Sequence, residues 1–214
     1  GNIKFENVFF SYDQKEPIFN GLSFEVKAGQ TVAIVGPTGA GKTSLINLIS
    51  RYYEFQKGRI KLDELDIRDI DLNILRSKIA VVLQVVFFFN TSILENITIG
   101  DKNISRQEVI NAAKKVGVHE FINQLPNGYD FEVKERGGLL SSGQRQIIAF
   151  LRAYVYKPQL LILDEATSSI DSFSEEYIQN ATIEITKSRT SIIIAHRLST
   201  IQNADAILVM DKGI

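Results

Sequence analysis

Eight consecutive residues, GPTGAGKT at positions 36–43, carry the plainest chemistry in the chain. They fit the spacing G-x-x-x-x-G-K-[ST]. Glycines at 36, 39 and 41 let backbone N–H groups turn inward around phosphate oxygens. Lys42 supplies a point charge that reaches β and γ phosphates, and Thr43 supplies a hydroxyl for Mg2+. Such a loop works only between a strand and a helix. TVAIV (residues 31–35) is a continuous apolar run, and KTSLINLISRYY follows with helical spacing at Leu45, Ile46, Leu48, Ile49 and Tyr52. That helix aims unpaired N–H groups and its positive dipole end at the same anion. A glycine turn that merely opens a helix is the bland alternative, and the two flanking elements weigh against it. The pattern points to a nucleoside triphosphate and says nothing about what its hydrolysis drives.

A second cluster follows LLIL, where Asp164 and Glu165 stand side by side. Adjacent carboxylates at a strand end are costly to bury without a cation. Asp164 is the natural partner of Thr43 at Mg2+, and Glu165 can act as general base on an attacking water. Two solvated acids capping a strand would be the alternative without a phosphate loop upstream.

Stepping outward, four apolar strand candidates each run into a polar group suited to phosphate chemistry. TVAIV leads to Gly36, IAVVL to Gln84, LLIL to Asp164 and Glu165, and SIIIA to His196. Open α/β sheets bind ligands at the carboxyl ends of their strands, so four such ends predict one site. Continuous apolar strands alternating with helices predict a parallel sheet covered on both faces. The first third reads differently: NIKFENVFFSY, LSFEVK and GRIKL alternate, as half-buried strands do. Residues 93–125 read as helical, with a Ser105/Glu108 capping box, and QRQIIAFLRAYVY as a helix with Ile147, Ile148, Leu151, Tyr154 and Val155 on one side. A Ser172/Glu175 capping box opens a further helix, and AILVM reads as a last strand.

Composition narrows the function classes. The 214 residues are 44% hydrophobic and 23% charged, ordinary for a globular chain able to bury a sizeable core. A formal net charge of -1 leaves no global basic surface for nucleic acid. Cysteine is absent, which excludes disulfides and thiolate metal sites. No apolar run approaches the roughly 20 residues of a membrane helix, and no signal peptide precedes the first strand. As given, the chain is expected to be soluble. It stops at MDKGI directly after a strand-like run, which suggests a shortened chain.

LLSSGQRQ offers a second anion site: hydroxyls, a glycine and a helix opening near Gln144. Most Ser-Gly turns before helices are only caps. One nucleotide, however, needs only one cradle, so a second suggests service to a nucleotide held by another copy in a two-fold dimer.

In order along the chain, GPTGAGKT, Gln84, LSSGQ, LLILDE, SSID and AHRLST resemble the nucleotide-binding domain of ATP-binding cassette (ABC) transporters. The resemblance covers essentially the whole chain. ERGG before LSSGQ, and FINQLPNGYD upstream, resemble the exporter type, in which a transmembrane domain is fused to this one. The implied fold is α/β: a P-loop NTPase (RecA-like) core with a mainly parallel sheet, an N-terminal antiparallel β subdomain and an inserted α-helical subdomain. Residues 1–214 would form one such domain. Approximately 1–84 and 150–214 would be the ATP-binding core, and 85–149 the helical part with LSSGQ. The transmembrane domain and the C-terminal end would lie outside this chain.

The resemblance implies ATP hydrolysis with Mg2+ that powers export, through ATP-driven dimerisation and hydrolysis-driven separation. Gly36, Pro37, Thr38, Gly39, Ala40, Gly41, Lys42, Thr43 and Ser44 would cradle the phosphates. Tyr12 would stack on adenine. Thr43, Gln84 and Asp164 would hold Mg2+, with Gln84 also sensing the γ-phosphate. Glu165, His196, Gln84 and Lys42 would be catalytic, and Asp171 would link the two sites. Ser141, Gly143 and Gln144 would meet the γ-phosphate of the opposite chain's ATP. Implied partners are a second nucleotide-binding domain, the same or different, and a transmembrane domain docking near residues 84–89. That places the domain on the cytoplasmic face of the cell membrane.

Three positions depart from the family pattern. Ser142 and Lys134 stand where glycine is usual, and Val85 replaces an acidic residue. The catalytic-type positions are intact, which implies a competent site. His119 and Arg136 receive no role. A DNA- or ribosome-acting ABC ATPase is the alternative. The former would split the two motifs with long coiled coils, and the latter would carry two cassettes and basic linkers. LQVVFFFNTSILENI (83–97) is the remaining oddity. Leu83 is expected to end a buried strand, and VVFFF to form part of an exposed hydrophobic socket for the membrane partner.

Overall fold

Alternation in the N-terminal segment produces β1 (Ile3–Phe10), which buries Ile3, Phe5, Val8 and Phe10. Strict period two would break between Phe5 and Val8. Asn7, at φ 49°, sits at a register shift there and returns Val8 to the core face. With β2 (Phe19–Val26), β4 (Lys57–Leu62) and β5 (Leu65–Asp66), β1 forms an antiparallel sheet of order β2-β1-β4-β5. This is a computed structural model. It describes residues 1–13, 16–164, 172–187, 189–195, 201–211 and 213, without the side chains of 172–174.

The second sheet has the order β6-β7-β8-β3-β9. Its strands are β6 (Ile79–Val82), β7 (Leu160–Asp164), β8 (Thr190–Ile194), β3 (Thr31–Val35) and β9 (Ala206–Val209). β7, β8, β3 and β9 pair in parallel. β8 is buried throughout and β7 up to Asp164, as continuous apolar runs require. Two expectations fail at the margins. β9 is the outermost strand, so Ala206 and Leu208 pack on the core while Ile207 and Val209 are exposed. β6 ends at Val82, and Leu83 is 48% exposed rather than a buried strand end.

The chain divides into two compact units. The first comprises Gly1–Val81, Pro158–Glu165 and Ser188–Ile214. Its core joins both sheets through α1 (Lys42–Ile49) and α2 (Leu72–Ser77). Leu45, Ile46, Leu48 and Ile49 of α1 are buried, as their spacing predicts. Tyr52 is not part of that face. Arg51 takes φ 51° after the helix ends and donates to the carbonyls of Ile67 and Ile70, turning the chain outward.

The second unit comprises Val82–Lys157 and Ala166–Lys187. It contains α3 (Ile93–Thr98), α4 (Arg106–Val116), α5 (His119–Gln124), α6 (Ser142–Val155) and α7 (Ser172–Thr186). Residues 93–125 form three short helices, because Ile99 and Gly117 adopt left-handed conformations at the ends of α3 and α4. The Ser105/Glu108 capping box is present, with Ser105 N–H donating to Glu108 Oε2 at 2.8 Å. Along α6, Ile147, Ile148 and Leu151 are buried together with Phe150. The Ser172/Glu175 box lies outside the described side chains. No helix among the described residues is long and apolar enough to cross a membrane.

Candidate functional site

The loop at 36–43 leaves β3 hard against the end of β9. A Cβ at Gly36 would lie 2.2 Å from the carbonyl oxygen of Met210, so only glycine fits. Gly41 caps α1 at φ 100°, and a Cβ there would meet the Phe19 ring at 2.7 Å. This glycine provides no side-chain cap, and the first turn of α1 carries no acid. α3, α4 and α6 instead open on serine capping boxes. The N–H groups of Lys42, Thr43 and Ser44 begin α1 without intrahelical acceptors and are available to an anion. Thr38, Gly39 and Thr43 are exposed, while Ala40 is buried and its N–H donates to the Pro37 carbonyl at 3.2 Å. The Lys42 ammonium folds over the loop and donates to the carbonyls of Gly36 (2.7 Å) and Pro37 (2.8 Å). It is thus held where an arriving polyphosphate would replace those two acceptors.

Register brings Asp164 to the same edge. Ile34 of β3 pairs with Ile194 of β8, and Ile194 pairs with Asp164 of β7. Asp164 is therefore level with Ile34, two strand spacings or about 10 Å away, and Gly36 follows two residues later. Among the described residues no group of three or more His, Cys, Asp or Glu could hold a metal. Among the described residues, Thr43 and Asp164 offer a hydroxyl and a carboxylate that, with phosphate oxygens, suit a divalent ion.

Tyr12, just beyond β1, is brought to the same helix end. Its hydroxyl donates to Ser44 Oγ and accepts from Asn47 Nδ2, each at 3.1 Å. The rings of Phe10 and Tyr53 stand edge-on to it at 4.8 Å. The first unit thus assembles Tyr12, residues 36–44 and Asp164. Glu165, Asp171 and His196 lie outside the described residues.

Gln84, Ser141, Gly143 and Gln144 belong to the second unit. Gln84 is exposed, two residues past β6. α6 opens at Ser142, earlier than the sequence suggested, because Ser141 and Gln144 close a capping box. Ser141 Oγ accepts from Gln144 N–H (3.1 Å), and Gln144 Oε1 accepts from Ser141 N–H (2.9 Å). Polar groups expected to face a ligand therefore also satisfy one another.

The 85–89 segment splits by face. Val85 and Phe87 are 83% and 62% exposed, Phe89 is 46% exposed, and Phe88 between them is 1% exposed. Sequence reasoning missed what holds this loop. Asn96 is fully buried; its Oδ1 accepts from Phe89 N–H at 2.9 Å, and its Nδ2 donates to carbonyls of Phe89 and Ser92 and to Thr91 Oγ1. Arg152 of α6 donates from Nε to the Asn96 carbonyl at 2.9 Å and stacks over Phe88. Burial pulls its guanidinium pKa below the usual value. A buried asparagine inside the apolar run ILENI was the available signal. His119, which the sequence left without a role, bonds Tyr129 through Nδ1 and Asn123 through Nε2, each at 2.9 Å. Tyr129 is buried, which pushes its hydroxyl pKa up to about 12.

A family model described as ABC transporter matches residues 19–168. Over its whole length the chain is 51% identical to the ABC transporter ATP-binding protein YknV of Bacillus subtilis (strain 168), covering 35% of that protein. It is 48% identical to the fatty acid ABC transporter ATP-binding/permease protein of Mycobacterium bovis, covering 34%. The chain thus spans about a third of the length of these curated relatives. A solved structure of a bacterial Atm1-family ABC exporter with ATP bound superposes with a TM-score of 0.89 at 44% identity. The match covers 99% of this chain and 37% of that one.

Proposed function

The chain belongs to the ABC transporter family and is an ATPase domain of its exporter type, and from that premise we propose that it powers export of a substrate across a membrane. The observation that carries this reading is the shared sheet edge of the 36–43 loop, Lys42 and Asp164. On this reading residues 1–84 and 150–214 are the ATP-binding core with its β subdomain and 85–149 the helical subdomain, whereas the second compact unit also takes in the end of α6 and α7. Backbone N–H groups of residues 41–44 receive the phosphates, and Lys42 leaves its two carbonyl acceptors for phosphate oxygens. Thr43 and Asp164 would hold Mg2+, which when bound neutralises charge on the transferred phosphoryl group. Tyr12 stacks on the base. Glu165 orients and deprotonates the attacking water, and His196 holds the γ-phosphate. Ser141, Gly143 and Gln144 complete the site of a second nucleotide-binding domain, so that ATP joins the two and hydrolysis parts them.

Val85, Phe87 and Phe89 form the face on which a transmembrane domain docks, with this domain on the cytoplasmic side. Specificity for cargo would lie in that membrane portion. The dimer is tested with Glu165→Gln, run on gel filtration at high protein concentration. With MgATP this variant elutes as a dimer and turns over far more slowly than the parent. If it stays monomeric at every ATP concentration, the two-domain sandwich is wrong.

A further inference from the structure

We propose that Asn47 is a positioning residue for the base of the bound nucleotide. Together with Ser44 it pins the Tyr12 hydroxyl, and through it the ring, to the helix that receives the phosphates. This rests on the reading that Tyr12 stacks on the base.

A phenolic hydroxyl has one proton to donate and lone pairs to accept with. Here both functions are used on α1: the proton goes to Ser44 Oγ, and the oxygen accepts from Asn47 Nδ2, each at 3.1 Å. Ser44 and Asn47 are three residues apart, so they share one helix face. Ser44 is itself buried and stands beside Lys42 and Thr43 in the first turn. The opposite side of α1 is locked into the core by Leu45, Ile46 and Ile49, and Leu48, one turn on from Ser44, is buried as well. Ring, hydroxyl, helix turn and phosphate cradle therefore form one rigid chain of contacts. Phe10 and Tyr53, edge-on to the ring with interplanar angles of 75° and 86°, resist its rotation.

Two consequences follow. The span from base platform to phosphate cradle is set before any nucleotide arrives, so little ordering is left to oppose binding. The hydroxyl, occupied on the helix, is not spent on the base edge, so the ring acts through its face alone. Loss of the pin should therefore weaken ligands that carry a base and leave a bare polyphosphate unaffected. The pin is already made without nucleotide, so its loss acts only by letting the ring leave its place; the worth of a neutral hydrogen bond, about 0.5–1.5 kcal/mol, caps the change in Kd at a roughly two- to tenfold rise.

The test is calorimetric titration of the full chain with MgATP and with Mg-tripolyphosphate, on Tyr12→Ala, Tyr12→Phe, Asn47→Ala and the Tyr12→Phe/Asn47→Ala double variant. Thermal melts confirm that each is folded. The expected result is that Tyr12→Phe and Asn47→Ala each raise the Kd for MgATP within that two- to tenfold range. The double variant should be no worse than the weaker single, and tripolyphosphate binding should be unchanged throughout. If Tyr12→Ala weakens MgATP but Tyr12→Phe and Asn47→Ala do not, the ring stacks without the pin and the inference alone fails. If Tyr12→Ala binds MgATP like the parent, the stacking reading fails and the inference with it. If Asn47→Ala weakens tripolyphosphate as much as MgATP, Asn47 supports the cradle rather than the base, and the proposal is overturned.

Discussion

Lys134 holds φ 61° and ψ −177°, a corner of backbone space that is essentially reserved for glycine. The resemblance implies glycine at this position, so the departure read from the sequence coincides with a conformational cost in the structure. Such strain costs about 1–3 kcal/mol, while glycine adds back roughly 0.5–1 kcal/mol of unfolded-state entropy. Lys134→Gly is therefore expected to raise stability by about 1 kcal/mol, read as a higher urea midpoint at unchanged slope. A lower midpoint would show that the lysine side chain contributes more than its backbone costs. Gly36 illustrates the reverse case. Its place in the phosphate motif could be read from spacing, but the carbonyl of Met210 that forbids any Cβ lies just past β9, far along the chain.

Among the elements, the 85–91 loop shows how one buried polar side chain decides what a segment displays. Alternation along the five apolar residues suggested that they do not all face one way, but not what would hold Phe88 inward. Asn96 supplies the reason by taking up the backbone of Phe89, Thr91 and Ser92, and Arg152 ties that hub to α6. Asn96→Ala would leave the Phe89 N–H without its acceptor, while the carbonyls of Phe89, Thr91 and Ser92 keep the backbone N–H groups of Thr91, Val133 and Asn96. The expected loss is about 1–3 kcal/mol in chemical denaturation. A loss below about 0.5 kcal/mol, the level of an ordinary surface change, would refute the hub. α6 taught a related lesson. Its hydrophobic face was legible from period 3.6, whereas its start at Ser142 depended on the reciprocal Ser141–Gln144 bonds.

For the whole molecule, ligand linkage is the direct consequence of the site. A nucleotide that binds only the folded chain stabilises it by about 2.7 kcal/mol at a hundred times its Kd. MgATP is expected to raise the melting temperature of the chain, and Lys42→Ala to abolish most of that rise. An unchanged shift in Lys42→Ala would remove the lysine from the cradle. The sequence by itself determined the chemistry and the class of fold. A phosphate loop is contiguous, and its strand and helix are set by neighbouring residues, so short-range pattern suffices for it. The serine cap of α4 was legible for the same reason. Only the tertiary structure decided that Asp164 stands level with Ile34 across β8, that Tyr12 reaches Ser44 and Asn47, and that β9 leaves Ile207 and Val209 open. Those facts depend on strand register and packing between segments far apart in the chain, and no local periodicity encodes which distant partner a strand or side chain will meet.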